Sequence, residues 1–106
     1  MPSHKQSQTD QNYHQQVVLK DTQKLRDQLN ELPSFCKYFF RGIEPKTTTK
    51  TRIGYASDLR TFFRFLLHEN PVLSEKYADS SISGITLKDL EALKPVDIEE
   101  YMEYLK

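Results

Sequence analysis

Lys50, Gly54, Ser57, Thr61, Arg64 and His68 are the side chains whose types and spacing could do chemistry in this chain. Counting about 100° per residue from Tyr55, they fall between roughly 180° and 260° on one helical face. A basic residue stands at each end of a run of small ones. That order suits a phosphate backbone, because cations neutralise phosphate, hydroxyls donate to it, and glycine lets another backbone come close. Gly54 costs up to about 1 kcal/mol of helix propensity relative to alanine, so its place on an outward face points to close approach by something. Lys50 falls near the start of its helix, where unpaired N–H groups already favour an anion. Arg60 borders the strip at roughly 140°. The same residues also describe an ordinary solvated face, since lysine and arginine on a helix back are commonplace.

Other chemistry is sparse. The lone Cys36 lies between Phe35 and Lys37 in a short apolar run and reads as a small, half-buried side chain. One cysteine excludes an intramolecular disulfide framework and fits a reducing compartment, and no Cys/His spacing resembles a zinc site. The acidic pairs near the C-terminus recur at helical spacing with no partner base, which describes a solvated outer face. With no nucleophile arrangement, metal set or phosphate loop, no catalysis, cofactor or metal is expected in this chain. No signal-like or membrane-spanning run is present, and the expected location is cytoplasmic.

The elements that must position the strip are helical. Residues 1 to 12 are almost wholly polar and read as a flexible tail, with the helical domain occupying 13 to 106. Tyr13, Val17, Leu25, Leu29 and Leu32 predict a helix from about Tyr13 to Glu31. A short second helix is bounded by Pro33 at its start and by Gly42 as a left-handed closing residue, with Phe35, Tyr38 and Phe39 as anchors. Thr48 or Thr49 caps a third helix that runs to about Asn70, where Pro71 helps to stop it. Its apolar stripe comprises Tyr55, Leu59, Phe62, Phe63, Leu66 and Leu67. A long connection follows, with one loose turn around Ser74 to Ala78. Thr86 and Asp89 form a box-like start to a helix over ITLKDLEAL, and Pro95 opens a last one whose apolar side is Val96, Ile98, Tyr101, Met102 and Leu105. No strand-like alternation and no internal repeat occurs.

A length of 106 residues fits one domain, and 37% hydrophobic with 28% charged residues lies within the globular range. The zero net charge hides a polarity along the chain. Residues 33 to 70 carry seven basic against three acidic side chains, whereas residues 71 to 106 carry four against eight. A phosphate partner should therefore meet the middle.

From Leu25 through Leu105 the chain resembles the N-terminal core-binding, or SAM-like, domain of tyrosine recombinases of the phage-integrase type. The resemblance rests on LPSFCKYFF, TKTRIGYASDLRTFFRFL and ITLKDLEALKPVDIEEYMEYL in that order. Thr51, Tyr55, Leu59 and Phe62 match the family's pattern in the middle motif, and Ile85, Thr86, Asp97, Ile98 and Tyr101 match it in the last. The resemblance implies a small orthogonal all-α bundle of four to five helices. It implies that this bundle and a larger catalytic domain clamp duplex DNA near a crossover site for integration or recombination, with recombinase protomers assembling as a tetramer on the DNA. The implied contacts are Thr48, Lys50, Thr51, Gly54 and Ser57; charge and geometry add Arg60 and Arg64. The family's catalytic residues, its tyrosine nucleophile included, belong to the other domain, which is absent from this chain. None of the six tyrosines here stands in that motif.

The expected function is thus DNA binding within a strand-cleaving and rejoining recombinase, by a domain that is monomeric in isolation and contacts no membrane. The alternative is a small helical protein-interaction module, with Phe40 or Phe65 as exposed hot spots.

Overall fold

A computed structural model describes the backbone of residues 2–78 and 80–106 and the side chains of residues 12–78 and 80–106. Among them the chain is all-α. Helices α1 (Pro2–Glu31), α2 (Cys36–Ile43), α3 (Thr49–Glu69), α4 (Pro71–Lys76), α5 (Leu87–Glu91) and α6 (Pro95–Tyr104) follow one another, with 3-10 turns at Glu44–Lys46 and Ile82–Gly84.

Helix α1 begins at Pro2, so the expected tail and the expected first helix form one element. Nothing from Pro2 to Glu31 breaks it: Pro2 stands where a proline ring is tolerated, and no glycine occurs in between. Among the described side chains, those in its second half and just beyond it reach the core. Leu25, Leu29 and Leu32 pack on the core, whereas Tyr13 and Leu19 are each 69% exposed. Thirty residues of helix extend about 45 Å, which explains molecular dimensions of 65 × 27 × 25 Å.

Helix α3 is the axle of the bundle. Ala56, Phe63, Leu66 and Leu67 are buried along it, joined by Leu32, Cys36, Phe40, Leu73, Ile82 and Ile85. Tyr55, an expected core residue, is 44% exposed. The buried arc is centred nearer Ala56 and Phe63 because α1 lies along that flank, where Gln28 Nε2 donates to the Ile53 carbonyl at 3.4 Å.

Three expectations for α2 are corrected. The Pro33 carbonyl accepts from Cys36 N at 3.0 Å in a turn that leads into the helix, which starts only at Cys36. Gly42 lies inside α2 rather than closing it, and the chain continues through Glu44 into the 3-10 turn. The inward residues are Cys36 and Phe40, four apart, so Tyr38 and Phe39 face outward at 74% and 51% exposure. Phe35 does anchor the segment, edge-on to Phe63 at 6.0 Å. Burial pushes the Cys36 thiol up to about 11, which leaves it an inert core side chain.

The connection after α3 is more ordered than a loose turn. Asn70 is buried, and its Oδ1 caps α4 by accepting from Val72 N and Leu73 N, both at 3.1 Å. Its Nδ2 donates to Asp97 of α6 at 3.2 Å. The Thr86 and Asp89 capping box forms as expected. Asp89 is also a buried hub that receives Lys76 Nζ at 2.8 Å and the Tyr77 hydroxyl. Burial alone would raise its pKa, but hydrogen bonds from Lys76, Tyr77 and Thr86 prevail and hold the carboxyl well below the usual carboxylate range. The hydrogen bond to Asp89 in turn holds the Lys76 ammonium above its ordinary value.

An aromatic seam holds α6 on α3. Tyr101 meets Phe62 and Phe65 at ring separations of 4.9 and 5.2 Å. Desolvation raises the Tyr101 phenol pKa, with further contributions from the charges of Asp58 and Tyr104.

Candidate nucleic-acid interface

The strip begins at the cap of α3. Thr48 Oγ1 accepts from Thr51 N at 3.1 Å, and the two threonine hydroxyls are 2.9 Å apart. Thr48 therefore organises the helix start, leaving its oxygen partly committed. Arg52 binds the preceding turn from the other side: its Nη1 reaches the carbonyls of Glu44 and Thr47 at 3.0 and 2.7 Å, and its Nη2 reaches Thr49 Oγ1 at 3.2 Å. The entry loop and the first turn of α3 are thereby made one unit.

On that unit Lys50, Thr51 and Gly54 are exposed and Ser57 is half-buried. Among the described residues, a Cβ built on Gly54 meets nothing within 4 Å beyond its own helix, so no described neighbour requires glycine there. The expectation that this face points away from the core is met. Thr61, next along, turns its hydroxyl back to the Ser57 carbonyl at 3.1 Å.

The two added arginines differ. Arg60 leans toward α1, with its Nη1 3.5 Å from Glu31 Oε2, at the border of the strip. Arg64 is exposed, about 21 Å along the helix axis from Lys50. Among the described residues neither Lys50 nor Arg64 forms an ion pair. Thr48, Lys50, Thr51, Gly54 and Ser57 are brought together on the first turns, Arg64 continues the same side, and Arg60 stands apart from them.

Two participants are absent from the sequence reading. Arg52 falls at roughly 60° on the same wheel, in the middle of the apolar arc. A charge on the buried side was the available signal that it ties the loop down. Tyr104 closes a cleft with Arg64 and His68, and only the approach of α6 to α3 makes that visible.

Fold and strip together define a small all-α bundle presenting a cationic, hydroxyl-bearing helix face. No protein-family model, curated protein or solved structure matches the chain. No helix among the described residues is long and apolar enough to cross a membrane.

Proposed function

We propose that this chain is a duplex-DNA-binding module, the N-terminal core-binding, SAM-like part of a site-specific tyrosine recombinase. The observation that carries the reading is the outward face of the first half of α3, where Lys50, Thr51 and Gly54 are exposed and no partner among the described residues accounts for the glycine. The backbone of a duplex lies against Gly54, Lys50 and Arg64 neutralise phosphates, and Thr51 and Ser57 donate hydroxyl hydrogen bonds. Such contacts position a protein on DNA and carry little sequence information. In this reading, cleavage and rejoining belong to a separate catalytic domain, and protomers assemble on the DNA.

Titration of labelled duplexes across a salt series tests the reading. Affinity should fall steeply with salt, and Lys50→Ala should weaken binding to all sequences alike while flattening the log–log slope by about 0.9. An unchanged slope in that variant would count against the assignment.

The interaction-module alternative keeps support from a different place than expected. Phe40 is buried at 3% exposure and Phe65 lies under Tyr101 and Tyr104, so neither is a free hot spot. Tyr38 and Phe39 on α2, and Val96, Ile98 and Met102 on α6 with Leu105 just beyond it, are among the exposed large apolar residues. Concentration-dependent sedimentation without DNA, lost in Tyr38→Ala, would favour that reading.

A further inference from the structure

The second half of α3 offers something the first does not. Between it and the end of α6 lies a cleft of about 410 Å³ lined by Thr61, Arg64, Phe65, His68, Glu69 and Tyr104, within the size range of small-ligand sites. Tyr101 already closes the seam between the two helices. Tyr104 is 62% exposed, yet it is not a loose surface ring. Its ring lies 4.9 Å from that of Phe65 and within 23° of parallel to that of Tyr101 at 6.3 Å, so it is braced from behind with much of its surface still open. Arg64 and His68, one turn apart, share the cleft, and neither has an acidic partner at ion-pair distance among the described residues. Glu69 is the one acid lining it, an acceptor for amino groups rather than for phosphate.

A braced aromatic ring beside an arginine and a hydrogen-bonding imidazole matches the chemistry of an unpaired nucleotide. In such a site an unstacked base lies on the ring and its phosphate meets the guanidinium and the imidazole N–H. A base inside a duplex is covered on both faces by its neighbours and cannot use the ring. We infer that Tyr104, Arg64 and His68 form a subsite for an unpaired DNA strand, with the base on Tyr104 and the phosphate on Arg64 and His68. This deepens the DNA-binding reading and rests on it: the first half of α3 meets duplex, Arg64 is shared by the phosphate backbone on both sides of the opening, and His68 and Tyr104 meet strand that has opened.

The test uses the full chain with two probes, a labelled oligothymidylate strand and a labelled duplex, in low salt. Tyr104→Leu keeps apolar bulk without a π face, and Tyr104→Phe keeps the face. Wild type should bind both probes. Tyr104→Leu should lose about 5- to 150-fold on the single strand, the span expected for one stacked base, with duplex affinity unchanged; Tyr104→Phe should retain both. The chain has no tryptophan, so tyrosine emission can be followed directly. Oligothymidylate should quench part of it in wild type but not in Tyr104→Leu. Duplex binding without single-strand binding, equal losses on both probes, or undiminished single-strand binding in Tyr104→Leu would each overturn the inference while leaving the duplex reading intact. Failure of wild type to bind either probe would remove both.

Discussion

The Asp89 hub and the α3 strip are built from similar residues, lysine and threonine among them, and end in opposite states. At the hub, one buried carboxylate gathers Lys76, Tyr77 and Thr86 and welds α4 to α5. On the strip, Lys50 and Thr51 are exposed, and among the described residues no carboxylate collects them. A polar group that finds an internal partner adds to stability, whereas one left facing water stays available to a ligand. The presence or absence of a central acid separates the two regions.

Perturbing the hub should change stability and leave binding alone. Asp89→Ala removes the reciprocal half of the α5 capping box and takes the acceptor from four donors on Lys76, Tyr77 and Thr86, at a cost of about 1–3 kcal/mol. For a domain near this size each kcal/mol lowers Tm by roughly 4–8 °C, readable by circular dichroism. DNA affinity measured well below the new Tm should be unchanged, and a matching loss of affinity would erase the contrast between the regions. Acid should act in the same place. Because the folded-state pKa of Asp89 lies below its unfolded value, its contribution is fully present above the ordinary carboxylate range. It fades from about pH 5 downward as the pH falls toward the folded value. Urea midpoints between pH 7 and pH 3 should therefore drop more steeply for wild type than for Asp89→Asn, which cannot titrate.

On the strip the signs reverse. Gly54→Ala should stabilise α3 by up to about 1 kcal/mol, since nothing lies within 4 Å of the added carbon. If duplex backbone seats there, the same change weakens DNA binding, and a variant both more stable and as tight as wild type would deny the close approach. The smallest stability effect belongs to Lys50→Ala, within about 0.5 kcal/mol of wild type by urea unfolding.

How much of this was legible beforehand varies along the chain. A threonine cap at position 48 or 49, of which the structure uses Thr48, the Thr86 and Asp89 box and the start of α6 at Pro95 each depend on a residue and its neighbours three or four positions away, so local spacing revealed them. The outward strip was legible for the same reason. The α2 anchors were not. Tyr38, Phe39 and Phe40 are consecutive apolar residues, and no local rule says which of them a neighbouring helix will cover; α2 docks through Cys36 and Phe40. Asn70 and Pro71 read as a stop and are also a start, because the cap of α4 needs Asn70 held in place by Asp97 of α6.

Helix content, most of the caps and the charge polarity are properties of short stretches, and the amino-acid order determined them without help. The tertiary structure alone decided which flank of α3 is sealed by α1, which aromatic rings close the seam with α6, and that Tyr104 comes to rest beside Arg64 and His68. Those outcomes depend on contacts between residues far apart in the chain, and helical periodicity specifies a face without specifying what will cover it.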